Sequence, residues 1–266
     1  MVARIVCEVK DGVAQVTLSY PKRFNAMSRA MWRELRGIFE KIQTDTTLRC
    51  VLVRGQGDHF CAGGDISEYA SFRFDQASLR DFHEVDVWGA LRAMLACDVP
   101  MVAQIAGHCM GAGVEIASCC DIRLSAESAR FGAPIAKLGF PMAPREVALV
   151  GREVGLVTAR QMLLEAAVFS APQMLARGFL SQMVPEGDLA TVTAATLQRL
   201  IALAPQAARL NKQTLRVLSD HAAFESNHSP VDAPLALLLD QAYCYADSAE
   251  HREGIRAFLE KRPAHF

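Results

Sequence analysis

The chain has 266 residues, of which 51% are hydrophobic and 21% are charged, and its formal net charge is −1. This composition is typical of a soluble globular protein with one sizeable core, and it lacks the basic surplus of a protein that follows nucleic-acid phosphates. The longest uncharged stretch near the middle, residues 99–114, is too short and too polar for a membrane-spanning helix. We therefore expect neither a nucleic acid nor a membrane as a partner.

The N-terminus and the cysteines indicate the compartment. Residues 1–9 alternate like a strand and include Arg4 and Glu8, which leaves no room for the apolar centre of a secretory signal. The eight cysteines are scattered, form no CxxC pair and mostly have apolar neighbours. We interpret them as reduced core thiols of a cytoplasmic protein, and we expect no metal site.

The first half of the chain predicts strands that alternate with helices. Apolar residues alternate on both sides of Asp11-Gly12, as in a hairpin, and Ser28 is a plausible N-cap for the first helix. The predicted elements are a hairpin of residues 5–9 and 13–18, a helix from Ser28 to about residue 43, strands over 50–53, 100–105 and 121–125, and helices over 79–97 and from the second glycine turn to about 118.

The second half becomes helical. A stretch broken by prolines and glycines follows Phe131, and helices are predicted over about 145–164 and 172–177. From residue 186 onward almost the whole sequence predicts helix, ending with residues 249–261. We therefore predict an α/β core over residues 1–185 and a C-terminal helical region over 186–266 that packs on its own core or on a neighbouring subunit.

Two glycine-containing turns each stand between a predicted strand and a predicted helix. Residues 61–65 are Cys-Ala-Gly-Gly-Asp, and residues 107–113 are Gly-His-Cys-Met-Gly-Ala-Gly. Such turns let a ligand approach the backbone, and two free amides that converge on one oxygen form an oxyanion hole. Glu115 follows one turn into the second helix among apolar residues, which makes it a candidate acid–base group. The alternative is a first-turn acid that only favours the helix dipole.

Other polar residues near these turns have simpler interpretations. Asp65 is expected to cap the helix that follows it rather than contact a ligand. His59 and His108 are expected to be non-catalytic loop residues. Cys61 and Cys109 have no recognisable histidine partner, so a thiol nucleophile is not expected.

The series of motifs resembles the crotonase family, the enoyl-CoA hydratase/isomerase superfamily, along nearly the whole chain. The resemblance implies a crotonase-like spiral of ββα repeats and a C-terminal helical oligomerisation region that builds homotrimers, often paired into hexamers. It also implies an acyl-CoA substrate and no cofactor other than that CoA. The matching segments are residues 21–28, 60–66, 107–121, 138–141, 177–180 and 253–262.

Positions in these motifs imply roles for individual residues. The amides of Gly64 and Ala112 would hold the thioester oxygen, and Glu115 would transfer protons. Ala112 stands where the family usually has glycine, and alanine keeps the backbone N–H donor. The resemblance implies further contacts with the substrate and its CoA, at Arg23, Phe24, Ala26, Ala62, Asp65, Ile66, Gly111, Phe258 and Lys261. Phe258 and Lys261 would contribute from the same or an adjacent subunit.

The chain departs from the hydratase pattern at Ile135, where hydratases of this family have a second glutamate. Hydration needs one group to activate water and one to manage the proton at the α-carbon, so efficient two-glutamate hydration is not expected. The leading hypothesis is a hydratase or isomerase type reaction with Glu115 as acid and base. The alternatives are decarboxylation of a malonyl-type thioester or other carbon–carbon cleavage through the same enolate, and a non-catalytic paralogue that binds CoA thioesters.

Two further segments contain charged residues whose roles are open. The glycine-rich turn of the family is replaced here by a segment with Arg145 and Glu146. Arg145 is a candidate receptor for a substrate carboxylate, but we expect both residues in the first turn of a helix, interacting at the surface. His83, Glu84 and Asp86 lie on the helix that borders the acyl pocket in relatives, and each is a candidate for a catalytic role.

Overall fold

Two β-sheets organise the computed structural model, which describes residues 2–222 and 233–266. In the larger sheet β1 and β2 are antiparallel, all later neighbours are parallel, and the order is β1-β2-β3-β4-β6-β9. The smaller sheet has the order β5-β7-β8. The strands of the described residues are β1 (Arg4–Lys10), β2 (Val13–Ser19), β3 (Cys50–Gly55), β4 (Met101–Ile105), β5 (His108–Met110), β6 (Ile122–Ala126), β7 (Arg130–Gly132), β8 (Val168–Ser170) and β9 (Gln182–Val184).

Helices fill most of the connections between strands and the whole C-terminal region that is described. The α-helices of these residues are α1 (Arg29–Thr44), α2 (Gln76–Asp81), α3 (Trp88–Ala96), α4 (Ala112–Ser118), α5 (Pro144–Val154), α6 (Leu156–Leu164), α7 (Ala171–Ala176), α8 (Leu189–Ile201), α9 (Pro205–Ala222), α10 (Ala233–Gln241) and α11 (Ala249–Leu259). A 3-10 helix, Ile66–Ser71, follows the first glycine turn, and a π-helical turn, Phe82–Val87, joins α2 to α3. None of the described helices has the length and apolar character needed to cross a membrane.

The larger sheet is covered on both faces, as its continuous apolar strands require. Val51 and Val53 of β3 point into the main core, which α1 and α3 also line. Leu52 of the same strand points to the opposite face, where it meets a second apolar cluster with Leu189 of α8. The helical region after residue 185 therefore begins by covering the second face of the sheet.

Helix α9 is held on the core by basic side chains. Lys212 Nζ lies 2.8 Å from Asp121 Oδ2, and Arg216 Nη2 lies 2.8 Å from Asp98 Oδ1. The helical region thus packs on the core of its own chain, which was one of the two predicted arrangements. Residues 223–232 of the predicted helical region lie outside the described residues.

The predicted order of elements is confirmed, with corrections to several boundaries. The hairpin and the Ser28 cap form as expected: Asp11 and Gly12 both have positive φ, and Ser28 Oγ accepts a hydrogen bond from Met31 N at 3.2 Å. The single helix predicted over 79–97 is interrupted by the π-helical turn. The helix predicted over 145–164 breaks at Gly155, where φ is +80°. The strands β5, β7 and β8 were not predicted, because three residues are too few to show a period.

Candidate active site

The two glycine turns lie side by side. Cys61 N donates to His108 O, and Met110 N donates to Cys61 O, both at 2.8 Å. These bonds form a short parallel bridge between Cys61 and Cys109. A Cβ added at Gly113 would lie only 2.7 Å from the Cys61 carbonyl oxygen, so glycine lets α4 start directly against the first turn.

The backbone N–H groups of Gly64 and Ala112 are free. Gly64 pairs with Met27 in a parallel bridge that uses only the flanking groups, because Met27 N donates to Gly63 O and Asp65 N donates to Met27 O. Ala112 is the first residue of α4, where an N–H has no partner inside the helix. Within residues 2–222 and 233–266, neither N–H donates to a protein acceptor. Both residues line one cavity, so their amides are available to an oxygen bound there.

That cavity has a volume of about 250 Å³ and a largely apolar lining. The two turns form one end, and the 3-10 helix, the π-helical turn and the start of α5 form its walls. A mostly apolar cavity with a few convergent polar groups is typical of a small-molecule site. Besides Gly64 and Ala112, its polar and charged lining residues are Tyr69, Arg73, His83, Glu115 and Glu146.

Glu115 is a buried carboxyl in the first turn of α4. Its side chain is directed to the cavity, and the residue is 6% exposed. Burial raises the pKa of Glu115 well above its usual range, and the charge of Glu146 raises it further. A carboxyl with a raised pKa is suited to give and take protons near neutral pH.

Glu146 is also buried and lines the same cavity, which corrects the prediction that it lies at the surface. Arg145 does lie at the surface, where its Nε is 3.1 Å from Glu84 Oε2. Both residues are in the first turn of α5, as predicted. Consecutive helical residues point about 100° apart, so one of them faces solvent while the other faces the core.

A histidine holds Glu146 in place. His83 Nδ1 lies 2.8 Å from Glu146 Oε1. On the other side of the ring, Arg73 Nη2 lies 3.5 Å from His83 Nε2. Since a guanidinium only donates, this contact assigns the acceptor role to Nε2 and the proton to Nδ1. In this tautomer, His83 Nδ1 donates to Glu146 Oε1.

The other two charged residues near His83 do not reach the cavity. Asp86 is buried under Arg29 and Arg33, whose guanidinium nitrogens lie 2.8 and 2.6 Å from its carboxylate. Glu84 is exposed and pairs with Arg145. Of the three candidates on this segment, the structure brings only His83 into the cavity.

Ile135 lines the cavity as an apolar residue, and the second carboxyl comes instead from the next helix. The sequence contained a signal for this. Glu146 shares the buried face of α5 with Leu149, Val150 and Val154, so it continues an apolar stripe at helical spacing. An acid in such a stripe is either paired or functional.

Tyr69 and Arg73 are cavity residues that were not singled out from the sequence. The Tyr69 hydroxyl lies so close to Gly64 that a Cβ at that position would overlap it. Burial raises the pKa of Tyr69, and the neighbouring Arg73 partly opposes this rise. The Arg73 guanidinium carbon is 4.2 Å from the centre of the Tyr69 ring and 3.7 Å from that of Phe140.

The early loop of residues 21–28 lies beside the first turn. Ala62 N donates to Phe24 O at 3.0 Å. Arg23 and Phe24 are exposed, whereas Ala26 is buried. Asn25 is fully buried and fixes the loop through three side-chain hydrogen bonds with backbone groups.

His59 and His108 stack on each other next to the Phe24 ring. Their ring centres are 4.5 Å apart, and the Phe24 ring lies 4.6 Å from His59. Burial and the nearby His59 lower the pKa of His108. His108 is part of β5 rather than a loop, and neither histidine lines the cavity.

The remaining predicted contact residues fall into three places. Asp65 caps the 3-10 helix by accepting a hydrogen bond from the backbone N–H two residues later, as its cap prediction requires. Gly111 and the half-exposed Ile66 line the cavity. Phe258 and Lys261 are exposed at the end of α11 and do not line it.

The thiols of the two turns are poorly suited to act as nucleophiles. Burial raises the pKa of the Cys61 thiol to about 12 and that of Cys109 well above its usual range, which opposes thiolate formation. In the part of the chain that the structure describes, no group of three or more His, Cys, Asp or Glu side chains is arranged to hold a metal ion.

Two free amides in adjacent turns, one of them at the N-terminus of α4, beside a buried carboxyl and an apolar cavity, are the arrangement of enzymes that stabilise an oxyanion. The family model described as enoyl-CoA hydratase/isomerase matches residues 8–266. The chain belongs to this family.

Individual relatives match along their full length. The chain is 30% identical to a probable enoyl-CoA hydratase of Mycobacterium bovis, over 98% of this chain and 97% of the relative. It is also 30% identical to the 2,3-dehydroadipyl-CoA hydratase of Escherichia coli, over 99% and 98%. A crystal structure of an enoyl-CoA hydratase/carnitine racemase from Magnetospirillum magneticum matches with a TM-score of 0.91 and 35% identity, over 98% and 94% of the two chains. The mixed α/β architecture with C-terminal helices is therefore a crotonase fold.

Proposed function

We propose that this enzyme adds water to the double bond of a 2-enoyl-CoA, with Glu115 and Glu146 sharing the proton transfers. The observation that carries the proposal is the second buried carboxyl. Glu146 lines the same cavity as Glu115, and its charge acts on the Glu115 pKa. Hydration needs one acid and one base, and this pair supplies both although position 135 is apolar.

The free amides support the first half of the reaction. The N–H groups of Gly64 and Ala112 would bind the thioester carbonyl oxygen, which becomes the enolate oxygen when water adds to the β-carbon. One such donor is worth roughly 3–4 kcal/mol in comparable sites. The N-terminus of α4 adds about half an elementary positive charge near the same oxygen.

The two carboxyls support the second half. Neighbouring acids in one site share protons, so over a range of pH one is ionised and the other protonated. The ionised carboxylate takes a proton from water as the water oxygen bonds to the β-carbon. The protonated carboxyl gives its proton to the α-carbon as the enolate collapses. The product is a 3-hydroxyacyl-CoA, and the pair is reset by exchange of a proton with solvent.

The alternatives have less support. The decarboxylation hypothesis requires Arg145 to bind a substrate carboxylate, but Arg145 pairs with Glu84 at the surface. The hypothesis of a non-catalytic paralogue rests on the loss of the second acid, and in our proposal Glu146 is that acid. A 1,3 proton shift uses the same groups as hydration, so the products must separate these two reactions.

The proposal includes CoA contacts and an assembly that follow the family resemblance. The exposed early loop at Arg23 and Phe24 lies beside the first turn and suits the nucleotide end of CoA. Phe258 and Lys261 would complete that contact from the same or an adjacent subunit of a homotrimer or hexamer. No cofactor is required besides the CoA of the substrate.

A panel of thioesters in deuterated water tests the reaction type. Saturated, 2-enoyl, 3-enoyl and malonyl thioesters are incubated with the enzyme, and products are identified by mass spectrometry. We expect a 3-hydroxyacyl product with one deuterium at the α-carbon from the 2-enoyl thioester. Glu115→Gln should lower its rate by about 100- to 10,000-fold. Carbon dioxide from the malonyl thioester without hydration, or binding without product from any thioester, would contradict the proposal.

A further inference from the structure

Arg73 places a positive charge in the wall of an otherwise apolar part of the cavity. Its guanidinium lies between the faces of Tyr69 and Phe140, at 4.2 and 3.7 Å from the ring centres. Packing against aromatic faces leaves terminal N–H donors at the edge of a guanidinium plane free to form hydrogen bonds.

The charge of Arg73 has no direct counter-ion. In the described ranges, no carboxylate forms an ion pair with Arg73, and its Nε is buried without a hydrogen-bond acceptor. Its polar side-chain neighbours are Tyr69, whose ring it packs on, and His83, whose ring separates Arg73 from Glu146. Arg145, by contrast, is satisfied by Glu84. Arg73 is half-buried, and a partly desolvated charge without a counter-ion is unfavourable unless an anion completes it.

The position of Arg73 relative to the amides defines where such an anion would sit. The Tyr69 hydroxyl abuts Gly64, and Arg73 lies against the face of the same ring. The guanidinium is therefore separated from the candidate oxyanion site by a tyrosine side chain. An anion at Arg73 would belong to the acyl group, several bonds beyond the thioester carbonyl.

We infer that Arg73 binds a carboxylate at the far end of the acyl chain, so that the preferred substrate is a dicarboxylic enoyl thioester. The reaction named in this inference rests on the proposed function, whereas the preference in binding does not. The carboxylate accepts from the terminal N–H groups of the guanidinium in charge-assisted hydrogen bonds. Arg73 thereby sets substrate specificity.

Two thioesters of equal length test the inference. Hex-2-enoyl-CoA and the mono-CoA thioester of hex-2-enedioic acid differ only in a terminal methyl or carboxylate. We expect the wild-type enzyme to prefer the diacid thioester in kcat/KM. Arg73→Gln should lower kcat/KM for the diacid about 100-fold more than for the methyl-terminated thioester, and the difference between the two substrates should appear mainly in KM. Arg145→Gln is the matched control and should preserve the preference.

Binding of the saturated thioesters, hexanoyl-CoA and adipyl-CoA, gives a readout that does not require turnover. If the wild type binds adipyl-CoA more tightly than hexanoyl-CoA and Arg73→Gln loses this preference, the inference is supported. It is supported even if neither enoyl thioester is hydrated, because failure of hydration overturns only the proposed function. Equal or weaker binding of the diacid by the wild type overturns the inference. An equal loss of kcat for both substrates in Arg73→Gln would also overturn the inference, because it would show that Arg73 acts by positioning His83.

Discussion

Glu115 disfavours the folded state at neutral pH because its carboxyl is buried. Its folded-state pKa is raised, so above the usual glutamate range the unfolded chain has lost a proton that the folded chain still holds. The free energy of unfolding therefore falls as pH rises through this window, up to the folded-state pKa. The raised pKa that suits Glu115 to its proposed role thus lowers the stability of the folded state.

Glu115→Gln should stabilise the protein at pH 8 and leave it nearly unchanged at pH 4. The expected gain is about 1.4 kcal/mol for each unit by which the pKa is raised, because glutamine avoids the cost of ionisation. Urea denaturation at several pH values measures it. Glu127→Gln, which removes an exposed carboxyl, is the control. A gain that does not depend on pH would show that Glu115 titrates normally.

The Ala112 amide can be removed without removing a side-chain contact. Ala112 is the first residue of α4, a position that tolerates proline because its N–H has no helical partner. Ala112→Pro should lower kcat about 100- to 1,000-fold, the effect of losing one oxyanion donor. Ala112→Gly keeps the donor and should retain most of the activity. Equal rates in a folded Ala112→Pro and the wild type would exclude this amide from the site.

At the scale of elements, the π-helical turn and α5 together position Glu146, one of the two carboxyls of the proposed acid–base pair. The turn interrupts the helical path from α2 to α3 at the segment that carries His83, and α5 presents Glu146 from the other side. π-helical turns often occur at functional sites, where they alter the direction of a side chain. The hydrogen bond between the two elements gives Glu146 a fixed orientation.

His83→Ala should lower kcat by up to about 100-fold while changing KM little, because Glu146 loses its orienting donor. His83 is a positioning residue, so the pH profile of kcat should also change shape. Glu84→Gln, in the same turn but exposed, should behave like the wild type. A uniform loss of folded protein without a change in the pH profile would assign His83 a purely structural role.

The elements of the site differed in how far the sequence determined them. The two glycine turns and Glu115 were predictable because turn, helix start and acid follow one another within a few residues. Glu146 was wrongly predicted to lie at the surface, because its partner His83 is 63 positions away and the pairing exists only after the chain folds. The π-helical turn was missed for a related reason: its apolar residues continue the pattern of an ordinary helix. Ile135 was interpreted as a departure from the hydratase pattern, and the second buried carboxyl in the cavity, on α5, became evident only in the structure.

At the scale of the whole molecule, the C-terminal helices expose apolar side chains that a single chain does not cover. These are Leu237 and Leu239 of α10, Tyr243, and Phe258 and Leu259 of α11, each more than half exposed. The family resemblance places subunit contacts in this region. Helices α8 and α9 cover the core of their own chain. We therefore expect the C-terminal region both to complete the core and to form subunit contacts.

The assembly should have a mass three or six times the 29.0 kDa of the chain. Native mass spectrometry and sedimentation velocity at micromolar concentration measure it. Replacing Leu237 and Leu239 together by serine should shift the distribution toward smaller species, because exposed apolar area drives association. A wild-type monomer under these conditions would contradict the trimeric assembly.

The hydration rate of Glu146→Gln tests the central claim most directly, because Glu146 is the residue that distinguishes this site from a single-base site. The steady-state rate with but-2-enoyl-CoA is compared among the wild type, Glu146→Gln and the surface control Arg145→Gln. We predict a loss of about 100- to 10,000-fold in Glu146→Gln and little change in Arg145→Gln. Hydration by Glu146→Gln at the wild-type rate would contradict the account.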